Sequence, residues 1–136
     1  MSTTLAEAIS RFDVDVHEHL DRDELIPVLS GLQRQGDVIV IPAAKVTATT
    51  KVTSAGHPVV RGEAGGNTHL LLAIGDVFFD TKPVSAQNLV LGVLSVAPDA
   101  EAFLAHPEHG YLGIAPGNYE VRRQREQADE LRLVAD

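Results

Sequence analysis

The chain contains no cysteine and no tryptophan, and only four phenylalanines and two tyrosines among its 136 residues. Without thiols there is no disulfide, no thiolate zinc site, no iron–sulfur cluster and no cysteine nucleophile. With so few rings, the core has to be built from Val, Leu, Ile and Ala, and the many β-branched residues lean toward sheet. Basic residues are also scarce: 11 Lys and Arg stand against 19 Asp and Glu, for a net charge of −8. Sequence-independent binding to nucleic acid needs a basic face that displaces counterions, so nucleic acid is disfavoured as a partner. The strip formed by Arg122, Arg123 and Arg125 does not change this, because Glu120, Glu126 and Glu130 dilute it. No apolar run approaches the roughly 20 residues of a spanning helix. The N-terminal "MSTTLAEAIS" lacks the basic-then-apolar order of a secretion signal. The expectation is a cytoplasmic protein without membrane contact.

What the chain does have is enough apolar residue, 44%, for one globular domain with a real core. Its first third reads as helical. Thr3 or Thr4 can cap a helix that places Leu5, Ile9 and Phe12 on one face. Leu25, Val28, Leu29 and Leu32 repeat helical spacing and predict a second helix over Asp23–Gln33, with Pro27 near its first turn and Gly36 beyond its end.

From Asp37 onward the pattern changes to strands. "DVIVIPA" is a buried strand, and "KVTATTKV" alternates as a half-buried one. "THLLLAIG" and "DVFFDT" meet at Gly75-Asp76. "NLVLGVLSVA" is a buried strand whose Gly92 suits a bulge or close packing. "YLGIAPGNYEVRRQ" reads as strand, turn, strand about Pro116-Gly117, with Tyr119 and Val121 inward and Glu120 and Arg122 outward. "DELRLVAD" offers a last short strand. The predicted fold is mainly β within an α+β class. It is a small β-barrel or β-sandwich preceded by one or two helices, with residues 1–36 as a helical arm or subdomain and residues 37–136 as the β-rich domain.

Histidines are the main candidates for chemistry. His17 and His19 share one face of an extended chain but sit in a polar connector. In His106-Pro107-Glu108-His109, Pro107 suits the second position of a type I turn, which brings the two histidines together. Two imidazoles at that separation can ligate a divalent metal or shuttle protons, given a third ligand. His69, next to the glycine-rich "GEAGGN", is the best third ligand, and Glu63 or Glu108 the candidate catalytic base. "GEAGGN" itself lacks the residues of a phosphate-binding loop, and no serine sits in a nucleophile elbow.

Three blocks, "RQGDVIVIP" (34–42), "GEAGGNTH" (62–69) and "HPEHGYLGIAPGNYEVRRQRE" (106–126), occur in this order. Together the chain resembles a group of small uncharacterised bacterial and phage-borne proteins. Their pattern is approximately Q-G-D-hydrophobic-P, then G-E-x-T-G-H-x-H, then H-x-E-H-G-x-I-x-L-P-x-G-x-Y-E-V-x-x-Q-R-E. The histidine pair of the second block becomes Asn67 and His69, so one imidazole of that pattern is missing. The resemblance implies one compact β-domain and supplies no activity.

Two functions of different class are therefore expected. The first is a non-enzymatic structural or adaptor protein, homo-oligomeric and phage-like, acting through a protein partner or self-association. The alternative is a small metal-dependent enzyme or metal-binding module of cupin-like type, using His69, His106 and His109 with Glu63 or Glu108 and a divalent metal as its only cofactor.

Overall fold

The computed structural model describes residues 3–16, 20–60, 68–82 and 89–123. Among these residues one helix, α1 (Leu5–Phe12), precedes ten strands. These are β1 (Val28–Leu29), β2 (Gln33–Gln35), β3 (Val38–Pro42), β4 (His57–Val60), β5 (His69–Ile74), β6 (Val77–Thr81), β7 (Val90–Val96), β8 (Glu101–His106), β9 (Gly110–Ile114) and β10 (Gly117–Arg123). They form two sheets of five, ordered β1-β9-β8-β5-β4 and β2-β3-β10-β7-β6. Among the described residues the sheets do not close into a barrel, so the fold is the sandwich form of the expected α+β class.

The alternation of side chains along each strand builds two apolar layers. Leu71, Ala102, Leu104 and Ile114 from the first sheet meet Val38, Val40, Val77, Phe79, Leu94, Tyr119 and Val121 from the second. The opposite face of the first sheet, bearing Leu72, Phe103 and Ala105, is covered by Ala8 and Ile26 from the N-terminal segment. Strands β5 and β8 are thus apolar at successive positions because both of their faces are buried.

Helix α1 forms where its pattern says it should. Thr4 accepts from the Glu7 backbone N–H at 3.1 Å while the Glu7 carboxylate accepts from the Thr4 N–H at 3.0 Å, a reciprocal cap. The cap hydrogen bonds hold the Glu7 carboxyl below its ordinary pKa. Phe12 brings its ring within 5.7 Å of Phe103 and 6.4 Å of Tyr111, while Asp13 ends the helix in the left-handed region.

Two sequence-based expectations are corrected. Residues 23–33 are not a second helix. Val28 and Leu29 pair in parallel with Gly113 and Ile114, and Gln33–Gln35 turns to pair with β3. The helical spacing came from Leu25, Leu29 and Leu32, which are exposed by 53%, 50% and 66% and face no core. Pro27 and Gly31 weaken a helix there, and the open edge of β9 offers backbone partners instead.

The segment "KVTATTKV" is not a strand either. The Asp80 carboxylate takes the amides of Thr49 and Thr50 at 2.9–3.1 Å, and the Ser95 hydroxyl takes that of Ala48 at 2.8 Å. Side chains take the amides of residues 48–50, and β6 supplies only an isolated bridge, Lys51 to Phe78, with the Val52 N–H donating to Val77 and the Phe79 N–H to Thr50. The hydrogen bonds from Thr50 and Thr49 also hold the Asp80 carboxyl below its ordinary pKa. Conversely, "EAFLAH" forms β8, a central strand that its alanines disguise. The proposed strand in "DELRLVAD" lies outside the described residues.

Gly92 sits where the register between β10 and β7 shifts, with Val121 opposite Gly92 and Arg122 opposite Val90. A Cβ there would overlap the Phe79 ring and lie 2.6 Å from the Asp80 carbonyl, so both the bulge and the close approach require glycine.

The topology gives the two ends of the sandwich different characters. Residues 30–32, 43–56, 75–76, 97–100 and 115–116 each carry the chain from one sheet to the other, and the four short connections all do so at the same end. At the opposite end, the 36–37 turn stays within the second sheet and the 107–109 turn within the first. Among the described residues, one end is stitched covalently and the other is held by side chains.

Candidate functional site at the open end of the sandwich

His69 begins β5 and His106 ends β8. The antiparallel register Leu70↔Ala105, extended by one residue, sets the two histidines opposite each other on the inward face. Their ring centroids are 4.3 Å apart. His109, in the turn that Pro107 opens, brings its ring to 4.5 Å from His106 and 6.3 Å from His69. The structure therefore brings together the three histidines expected to form a site. His69 and His106 are each only 4% exposed, and His109 is exposed at the mouth.

The second sheet contributes residues that neither the histidine spacing nor the candidate carboxylates indicated. Gln35 closes β2, and Gly36-Asp37 turns into β3, with Gly36 at φ +58°. A side chain at Gly36 would be strained, and its Cβ would lie 3.0 Å from His109 Nε2 and 3.4 Å from His69 Cε1. The Gln35 amide nitrogen donates to the carbonyls of Leu104, at 2.9 Å, and Gly110, at 3.1 Å, in the first sheet. Because that nitrogen faces two acceptors, the Gln35 oxygen is the atom 2.9 Å from His69 Nδ1, and His69 donates to it.

Neutral His69 consequently keeps its lone pair on Nε2, which lies 3.6 Å from Asp37 Oδ1. Asp37 is also paired through Oδ2 with Arg123 Nε at 3.3 Å. Burial, then the neighbouring His106 imidazole, push the His69 pKa down to about 4; His109 acts in the same direction and Asp37 pulls against them.

His106 has the opposite polarity. Its Nδ1 accepts from the backbone N–H groups of Glu108, at 3.1 Å, and His109, at 3.3 Å. A neutral His106 therefore carries its proton on Nε2. This bears on metal ligation: a histidine that binds through Nε2 ordinarily donates from Nδ1, and the Nδ1 of His106 faces donors. Among the described residues no group of three or more His, Asp or Glu is arranged to hold a metal ion. The open sandwich also lacks the closed interior expected of a cupin-like barrel. Glu108 is exposed in the turn. Glu63, His17 and His19 lie outside the described residues.

Next to His109 a cleft of about 200 Å³ opens, lined by Leu5, Leu25, Tyr111, Asp21 and Glu24 among others. Tyr111 donates its hydroxyl to the Val14 carbonyl at 2.7 Å, and burial raises its pKa.

The comparisons with known proteins meet this geometry at one point. Residues 34–124 match a family described as "Domain of unknown function (DUF8820)". The chain belongs to that family. The DUF8820 match begins at Arg34, one residue before Gln35, and contains Gln35, Asp37, His69, His106, His109 and Arg123. Helix α1, β1 and the leucine segment 25–32 precede it. No curated protein and no solved structure matches the chain.

Proposed function

We propose that this DUF8820 chain is a non-enzymatic interaction domain that self-associates through residues 25–35. The observation that carries this reading is the placement of Leu25, Leu29 and Leu32, the exposed large apolar side chains of the described residues, within one short segment. That segment supplies β1 and β2, the edge strands on the same side of the two sheets. Edge strands present unpaired backbone groups that a second chain can use.

Charge favours a second copy as the occupant. Residues 25–35 contain Arg34 and no acidic residue, although the whole chain carries −8. Two such edges can approach about a two-fold axis without like charges at their centre. Light scattering coupled to size exclusion tests this. The protein should run as a dimer at tens of micromolar, and Leu25→Ser/Leu29→Ser/Leu32→Ser should run as a folded monomer. A wild-type monomer at millimolar concentration would refute the proposal.

The convergence of His69, His106 and His109 favours a second reading, a divalent-metal module. Elemental analysis separates the two: a stoichiometric ion lost in His69→Ala supports the metal, and metal-free dimer supports the interaction domain.

A further inference from the structure

We propose that the cleft beside Leu25 is the socket for Leu32 of a second copy, with Arg34 of that copy set against the Asp21 and Glu24 carboxylates at its rim. This deepens the self-association reading and rests on it, since it names which part of one chain meets which part of the other.

The socket lies at the open end of the sandwich, on the side of the first sheet. Leu5, Leu25, Ile26 and Tyr111 contribute its apolar wall. Its volume of about 200 Å³ falls below the roughly 300–1,000 Å³ of small-molecule sites. It suits one side chain better than a ligand. Asp21 and Glu24 also line it, and both are exposed. Arg22 nearby is already bonded to Asp15 and to the carbonyls of Val16 and Leu20. An apolar floor under an acidic rim fits an apolar knob next to a positive charge.

The same chain carries that pair. Leu32 is 66% exposed and directly precedes β2. Arg34 lies two residues on, so strand alternation puts both side chains on one side, about 7 Å apart. Arg34 is exposed, and its Nε donates to the Gly36 carbonyl at 3.2 Å. Among the described residues its terminal amino groups are left for a partner.

Symmetry fixes the arrangement. Strand β1 runs parallel to β9, from the open end toward the stitched end, and residues 30–32 then carry the chain to β2 in the second sheet. Socket and knob therefore sit at opposite ends of this edge and on opposite sheets. A two-fold axis pointing out of the edge reverses both the strand direction and the order of the sheets. It brings Leu32 of each copy to the socket of the other, and Leu29, 50% exposed, meets its own counterpart near the axis. Opposite charges face each other at both contacts, although the chain as a whole carries −8.

Charge exchange followed by sedimentation equilibrium at low salt tests the register. One variant is Arg34→Glu. The other is Asp21→Asn/Glu24→Arg, in which the asparagine keeps an acceptor for the Asp23 N–H. Each alone should self-associate at least about 10-fold more weakly than the native chain, because both contacts of the dimer then oppose like charges. Mixed in equal amounts, the two should form a heterodimer of near-native affinity, since one contact has its charges exchanged and the other is native. Native affinity in either variant alone, or a mixture no tighter than its components, would overturn the register while leaving self-association standing. A monomeric native chain would remove both. If a charge variant does not fold, Leu25→Cys and Leu32→Cys chains read the same register, as the protein has no cysteine of its own. Oxidised together, they should give mainly the mixed disulfide; mainly Leu32→Cys homodimers would overturn the proposal.

Discussion

Gln35→Leu is expected to destabilise the protein by about 3 kcal/mol, a large share of the margin of a domain this size. The substituted side chain is of similar volume, so the loss is not one of packing. It deprives the buried His69 Nδ1–H of its acceptor and takes a donor from each of the Leu104 and Gly110 carbonyls. Each polar group stripped of its partner away from water costs about 1 kcal/mol or more. Gln35→Glu should not rescue it, since a carboxylate accepts but does not donate and would face both carbonyls. Urea unfolding at pH 7.5 measures both. A loss below about 1 kcal/mol in Gln35→Leu would mean that the glutamine merely fills space between the sheets.

Phe103→Ala is expected to cost about 3–5 kcal/mol, the range for removing a large ring from a core. Phe103 is fully buried, yet it points away from the layer between the two sheets. Its neighbours are Ala8, Ile26 and Phe12 from the N-terminal segment, with Leu72 and Ala105 beside it on the sheet. The effect should therefore appear only while that segment is present. In a chain beginning at Arg34, where the family match begins, the outer face of the first sheet loses its cover. Such a chain should fail to show a cooperative thermal transition or should aggregate. If it melts like the full-length protein, the N-terminal segment contributes nothing to the fold, and Phe103 packs by other means.

Local chemistry was legible in the sequence and long-range pairing was not. Thr4, Glu7 and the Leu5/Phe12 spacing announce α1 because a helix cap is settled within one turn. The apolar run of β7 and the Pro116-Gly117 turn announce themselves for the same reason. Residues 25–32 have helical spacing too, but their leucines face solvent. Only the presence of the β9 edge decides their conformation, and nothing nearby in the chain reveals it. Residues 46–52 alternate as a strand should, yet Asp80, some 30 residues on, takes the amides of Thr49 and Thr50.

The site divides in the same way. Pro107 gives away the proximity of His106 and His109. His69 joins them through the β5–β8 register, which a glycine-rich approach hints at but does not fix. Gln35 and Asp37 were visible only as the block "QGD". Their part in the site depends on β3 pairing with β10 and on the second sheet lying over the first.

The open end of the sandwich is built on His69 as a neutral, buried imidazole that donates to Gln35, beside a His106 of the opposite tautomer. Long-range proton–nitrogen spectra of the histidine rings, recorded from pH 7.5 to pH 4.5, measure this without perturbing the protein. His69 is predicted to carry its proton on Nδ1 with an unprotonated Nε2, and to stay so below pH 5. His106 is predicted to carry its proton on Nε2 at neutral pH. A His69 that averages between tautomers, or that titrates at or above 6.5, would contradict the account.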